Sequence, residues 1–152
     1  MAYKKQPEQD PLYAALDGLF KGIGWLVMLP FKGLFNKGPN QTQLQRVRDE
    51  YRKHFMTIEA SARSPHEARH AVMQADILLD KALEFKGFTG SGVGERLKSA
   101  TAKLSRETLN EAWEAHKVRN RLAHELNYQI TVDDARRVLL QFKSVLRNLG
   151  VL

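Results

Sequence analysis

Along most of the chain from Gln41 to the last residue, apolar side chains recur every three or four positions, the spacing of amphipathic helices. Leu44, Val47, Tyr51, Phe55 and Ile58 form one such stripe. Val132, Ala135, Leu139, Phe142, Val145, Leu146 and Leu149 form another. A chain patterned this way must cover each stripe with a neighbouring helix. The expected fold is therefore an all-α antiparallel helical bundle over residues 41–152, with Trp113 and Phe142 in its core.

The punctuation of the chain sets the helix ends. Gln41 to Ala62 reads as the first helix. Ser64-Pro65-His66-Glu67 starts a second, with Ser64 as cap, Pro65 in the first turn and Glu67 completing a capping box. It is expected to run to about Lys86 and to bury Val72, Ala75, Leu78, Leu79, Ala82 and Phe85. The glycine-rich segment 87–94 lacks the lysine–hydroxyl pair and the βαβ setting of a phosphate-cradling loop, so it reads as a flexible connection. A short helix from Glu95 to about Leu104 follows, with Leu97 and Leu104 inward. Ser105 caps the next helix, which is expected to end around Asn127, and Thr131 caps a last one that stops at Gly150.

Residues 1–40 have a different character. Residues 1–11 are polar, carry Pro7 and Pro11, and read as a disordered N-terminus. Residues 12–35 are the most apolar segment. Leu12, Leu16, Leu19, Phe20, Ile23, Leu26, Val27 and Leu34 share one helical face, opposite Asp17, Lys21 and Lys32. The uninterrupted apolar run, Gly22 to Phe31, is shorter than the roughly 20 residues of a spanning helix, and Pro30 would kink it. No small-residue cleavage site of a signal peptide follows. Three placements compete: an interfacial membrane helix with Trp25 near the headgroups, a tilted or re-entrant segment, and a helix packed on the bundle or a partner. Membrane contact through Leu16, Leu19, Phe20, Ile23, Trp25, Leu26 and Val27 is the expectation, and residues 36–40, with Gly38-Pro39, form a linker.

Polar groups concentrate between Trp113 and Tyr128. Asn120 and His124 stand at i and i+4, one above the other on one helix face. Arg119 is turned about 140° from His124 and reaches that face only through its flexible stem. A cation, an amide and an imidazole that titrates near neutrality form a set suited to phosphate. The same residues also admit a structural account, with Arg119 paired to Glu114 or Glu125 and His124 at the negative end of a helix. Asp76 and Asp80, also at i and i+4, would either support an arginine from across the bundle or serve as exposed partners of Lys81 and Arg69. His66 and His70 share metal-pair spacing but have no third ligand nearby, so no metal is expected.

The run Arg119-Asn120-Arg121-Leu122-Ala123-His124 resembles the signature of HEPN domains: an arginine, a polar residue next to it, and a histidine a few residues on. Asp76-Ile77-Leu78-Leu79-Asp80-Lys81-Ala82-Leu83 and Gly94-Glu95-Arg96-Leu97-Lys98 look like segments of uncharacterised bacterial membrane-linked members. The resemblance spans about residues 41–152. It departs from one toxin branch, which carries a tyrosine where this chain has Leu126. It implies a small helical bundle acting as a homodimer and metal-independent cleavage of RNA, with Arg119, Asn120 and His124 catalytic and His116, Arg121, Glu125 and Asp76 in support. No cofactor is implied.

Charge and composition agree with this reading without selecting it. With no cysteine in the chain, disulfides, thiolate nucleophiles and cysteine–zinc sites are excluded. A formal net charge of +7 favours anionic partners, either RNA or an anionic membrane surface. The expected location is cytoplasmic, peripheral or anchored at the inner face of the cell membrane. The alternative function is a non-catalytic, membrane-associated interaction or RNA-binding module.

Overall fold

Residues 41–152 are described by a computed structural model; the expectations for residues 1–40, including the membrane face from Leu16 to Val27, lie outside the described residues. Five helices and no strand make up the described chain: α1 (Gln41–Ser61), α2 (Pro65–Phe85), α3 (Val93–Ser99), α4 (Arg106–His124) and α5 (Val132–Asn148). The all-α bundle read from the apolar periodicity is the fold.

α2 is the centre. It is the one described helix that packs against all four others. Its inward face consists of Ala68, Ala71, Val72, Ala75, Leu78, Leu79, Ala82 and Leu83. The alanines let neighbouring backbones approach closely, and the leucines fill the space between them. α5 packs on α2 and α4 through Val138, Leu139, Phe142, Val145 and Leu146. α1 buries only Tyr51, Phe55 and Ile58. It packs on α2 and α5 and leaves α3 and α4 untouched.

The caps act where the sequence places them. Ser64, Ser105 and Thr131 hydroxyls accept hydrogen bonds from the backbone N–H groups of Glu67 (3.4 Å), Thr108 (3.2 Å) and Asp134 (3.1 Å). Each cap relieves an orphan donor and contributes on the order of 1 kcal/mol. At the far ends of α2 and α5, Gly87 and Gly150 take φ of +80° and +70°. The following N–H groups reach back, Phe88 to Leu83 and Val151 to Leu146, and both following side chains are buried. A left-handed glycine with a buried residue after it is how a helix stops while closing its last carbonyls.

Several local expectations are corrected. α3 is shorter than anticipated, ending at Ser99 and giving way to turns, and Leu104 is only half-buried. α4 ends at His124, because Glu125 adopts an extended backbone. Phe85, at the fraying end of α2, is half-buried. Trp113 is half-buried too and is not a core residue. The buried face of α4 is Thr108, Leu109, Ala112, Ala115 and Leu122. Trp113 sits at its margin, where the seven-residue α3 covers one edge of the indole.

Candidate functional site

The polar residues of the site descend from two helix registers. On α2, Asp76, Asp80 and Glu84 follow one another at i, i+4 and i+8, a line of acids beside the apolar face. On α4, Arg119 falls at a core position, in step with Ala112, Ala115 and Leu122. Packing α4 on α2 therefore drives an arginine into the interior, and Asp76 is what receives it.

Asp76 is 2% exposed and bridges two side chains of α4. Its Oδ1 lies 2.7 Å from His116 Nδ1 and its Oδ2 lies 3.2 Å from Arg119 Nε. The Arg119 contact is an ion pair and not an aligned hydrogen bond, since the buried Nε–H does not point along a good donor direction. Arg119 Nη1 donates to Asn120 Oδ1 at 3.0 Å. The guanidinium is thus held on two sides, and Nη2 has no partner among the described residues. A buried carboxylate is tolerable only with such company.

The next rung binds α3. Asp80 Oδ1 accepts from Arg96 Nη1 at 2.7 Å, and Arg96 Nη2 lies 3.4 Å from Glu84. Burial pushes the Asp80 carboxyl above the usual aspartate range, and the Arg96 guanidinium pulls against that. Asp76 is therefore an inward anchor and not an exposed partner, while Asp80 holds Arg96 and also feels the charge of Lys81, which pairs with Glu84 at 3.6 Å.

The remaining motif residues part company. His124 is exposed at the last position of α4. Arg121 leaves the site: its Nε donates to Glu125 at 3.2 Å, and its guanidinium lies 3.9 Å above the Tyr128 ring. That triad pins the turn after the helix, so Arg121 and Glu125 act on the backbone near His124 and not on Arg119. Glu114 pairs with Lys117 at 2.7 Å. Neither Glu114 nor Glu125 is the partner of Arg119, because its buried register directs it to α2.

The structure thus joins Asp76, His116, Arg119 and Asn120 into one network and leaves His124 one turn beyond it. Sequence reasoning had Asp76 in view yet missed the bridge to His116. The available signal was an arginine at a core register position, which demands a buried acid. The His66 and His70 rings lie with centroids 4.9 Å apart and planes tilted by 58° at the start of α2, and no group of three potential metal ligands occurs among the described residues. An open groove of about 680 Å³ lies elsewhere, lined by Arg52, Lys53, Met56, Ala60 and Arg63 among others. It belongs to α1, which does not touch α4, so its size does not make it the site. No described helix is long and apolar enough to cross a membrane.

These features define an all-helical bundle with an internal acid–base network beside an exposed histidine. No family model matches the chain, and no curated protein or solved structure matches it.

Proposed function

We propose that this chain is a HEPN-like, membrane-tethered endoribonuclease that works as a homodimer without a metal. The observation that supports it is the state of Arg119: braced by Asp76 and Asn120, with no partner for Nη2 among the described residues, five residues before an exposed histidine. A guanidinium fixed in advance spends little reorganisation when charge grows on a phosphate.

In the mechanism, a neutral His124 takes the proton from a ribose 2′-hydroxyl. The 2′-oxygen attacks the adjacent phosphorus, and the bond to the 5′-oxygen breaks. A protonated His124 from the second protomer returns a proton to that oxygen, leaving a 2′,3′-cyclic phosphate and a 5′-hydroxyl. Arg119 stabilises the phosphorane. Two roles and a single His124 per chain are why the reading requires a dimer.

One observation favours a second reading. The charge on Arg119 is already compensated by Asp76, which weakens its pull on phosphate and suits a non-catalytic RNA-binding or interaction module. Incubating the purified chain with RNA in EDTA, beside His124→Ala, decides. Cleavage lost only in the variant supports the enzyme. Binding without cleavage selects the module, and neither binding nor cleavage removes RNA from the account.

A further inference from the structure

Trp113, which the phosphate chemistry leaves unused, heads a line of side chains that reaches His124. Along α4, Trp113, His116, Asn120 and His124 follow at steps of three, four and four, which keeps them on one helical face. At 1.5 Å per residue, the line runs about 16 Å from the first ring to the last. Lys117 borders it, with its side chain 63% exposed.

The indole is held by its neighbours but not fully buried. Its six-membered ring lies against α3 at Gly94, where an added Cβ would stand 3.6 Å from Cη2. His116 meets it edge-on, with centroids 6.2 Å apart at 68°, and His116 is itself fixed by Asp76. The side chain is half-buried, so part of it stays accessible, and its N–H has no hydrogen-bond partner among the described residues. A tryptophan serving only the core would be covered and its N–H satisfied. A rigid aromatic surface with a spare donor, in line with an amide, imidazoles and a braced cation, has the chemistry of a base-stacking platform.

We infer that this face of α4 is a track for single-stranded RNA, in which Trp113 stacks one nucleobase a few nucleotides from the phosphate at Arg119 and His124. The inference rests on the RNA-directed reading above. It adds a requirement that reading lacks: the RNA must be unpaired, with bases free to leave their own stack.

The test uses the full chain and a short, labelled oligouridylate carrying 2′-O-methyl groups, which prevents cleavage. Anisotropy reports binding and tryptophan emission reports stacking. Saturation should quench emission in the wild type and not in Trp113→Ala, whose binding should weaken by about 5- to 150-fold. Trp113→Phe should retain most of the affinity. An abasic oligonucleotide of the same length should bind the wild type at least about 5-fold more weakly than the parent, a comparison made on the wild type alone and so independent of whether Trp113→Ala folds. Equal binding of the parent and abasic strands, or unchanged emission at saturation, overturns the inference and leaves the proposed function standing. Absence of any binding by the wild type overturns both.

Discussion

Asp76 and His116, forty residues apart in the chain, meet at 2.7 Å in the interior, and the second oxygen of the same carboxylate faces Arg119. One buried charge therefore joins the centre of α2 to the middle of α4. Removing it strands an arginine and an imidazole together. Asp76→Ala is expected to cost about 3 kcal/mol, the lower end for a broken buried pair because Arg119 keeps some solvent. Urea unfolding of Asp76→Ala, Arg119→Ala and the double variant measures this. The double variant should lose less than the sum of the two single ones.

Core and margin should separate cleanly on α4 and α5. Phe142 is fully buried, so Phe142→Ala is expected to lose about 3–5 kcal/mol. The half-buried Trp113 should lose about 2 kcal/mol on the same substitution. Chemical denaturation of both variants checks the order, and equal losses would place Trp113 back in the core.

Catalysis, on the proposed reading, divides between two residues with different structural duties. His124→Ala should lower the rate by about 10²–10⁴-fold with stability unchanged, since the side chain is exposed at a helix end. Arg119→Ala should lower rate and stability together. Mixing His124→Ala with the wild type should leave the heterodimers inactive, because each keeps a single His124 and the proposed mechanism uses two. Half-activity in proven heterodimers would mean that each chain works alone.

The loop before α3 carries a pH dependence. Glu95 Oε2 accepts from the Ser91 backbone N–H at 2.7 Å, and that bond holds the carboxyl below its usual range. A depressed folded pKa means that the unfolded chain binds the proton first. The stabilisation is complete above the ordinary glutamate pKa of about 4.5 and fades as pH falls through the lowered folded value. Glu95→Gln should therefore flatten the acid limb of a stability profile taken from about pH 6 to pH 3. A profile as steep as the wild type would assign the acid limb to other carboxylates.

Membrane tethering is expected to depend on residues 12–35. Liposome flotation should recover the full chain and lose one beginning at Asn40. Salt should weaken the association only in part, since the apolar face acts independently of charge. Equal flotation of both chains would assign the apolar segment another role.

The helices were legible because each is periodic and punctuated: Ser64, Ser105 and Thr131 open three of them, and Gly87 and Gly150 close two. The Asp76 network was not. An acid pair at i and i+4 has the same spacing whether it faces water or a neighbouring helix, and only packing assigns it a partner so distant in sequence. Trp113 misled through its size, which favours burial, while its register places it beside the buried face and not on it. The motif itself was visible as residue types at a spacing. That Arg119 points inward and His124 outward depends on where α4 meets α2.

α1 shares no contact with α4, and it is the helix to which everything before Gln41 is covalently joined. A pull on the chain from that side loads Tyr51, Phe55 and Ile58 first, and it is spent peeling α1 from α2 and α5. The Asp76 bridge lies behind that seam. On the proposed reading, a load that enters through Gln41 meets the α1 seam before it meets the bridge by which Asp76 holds Arg119.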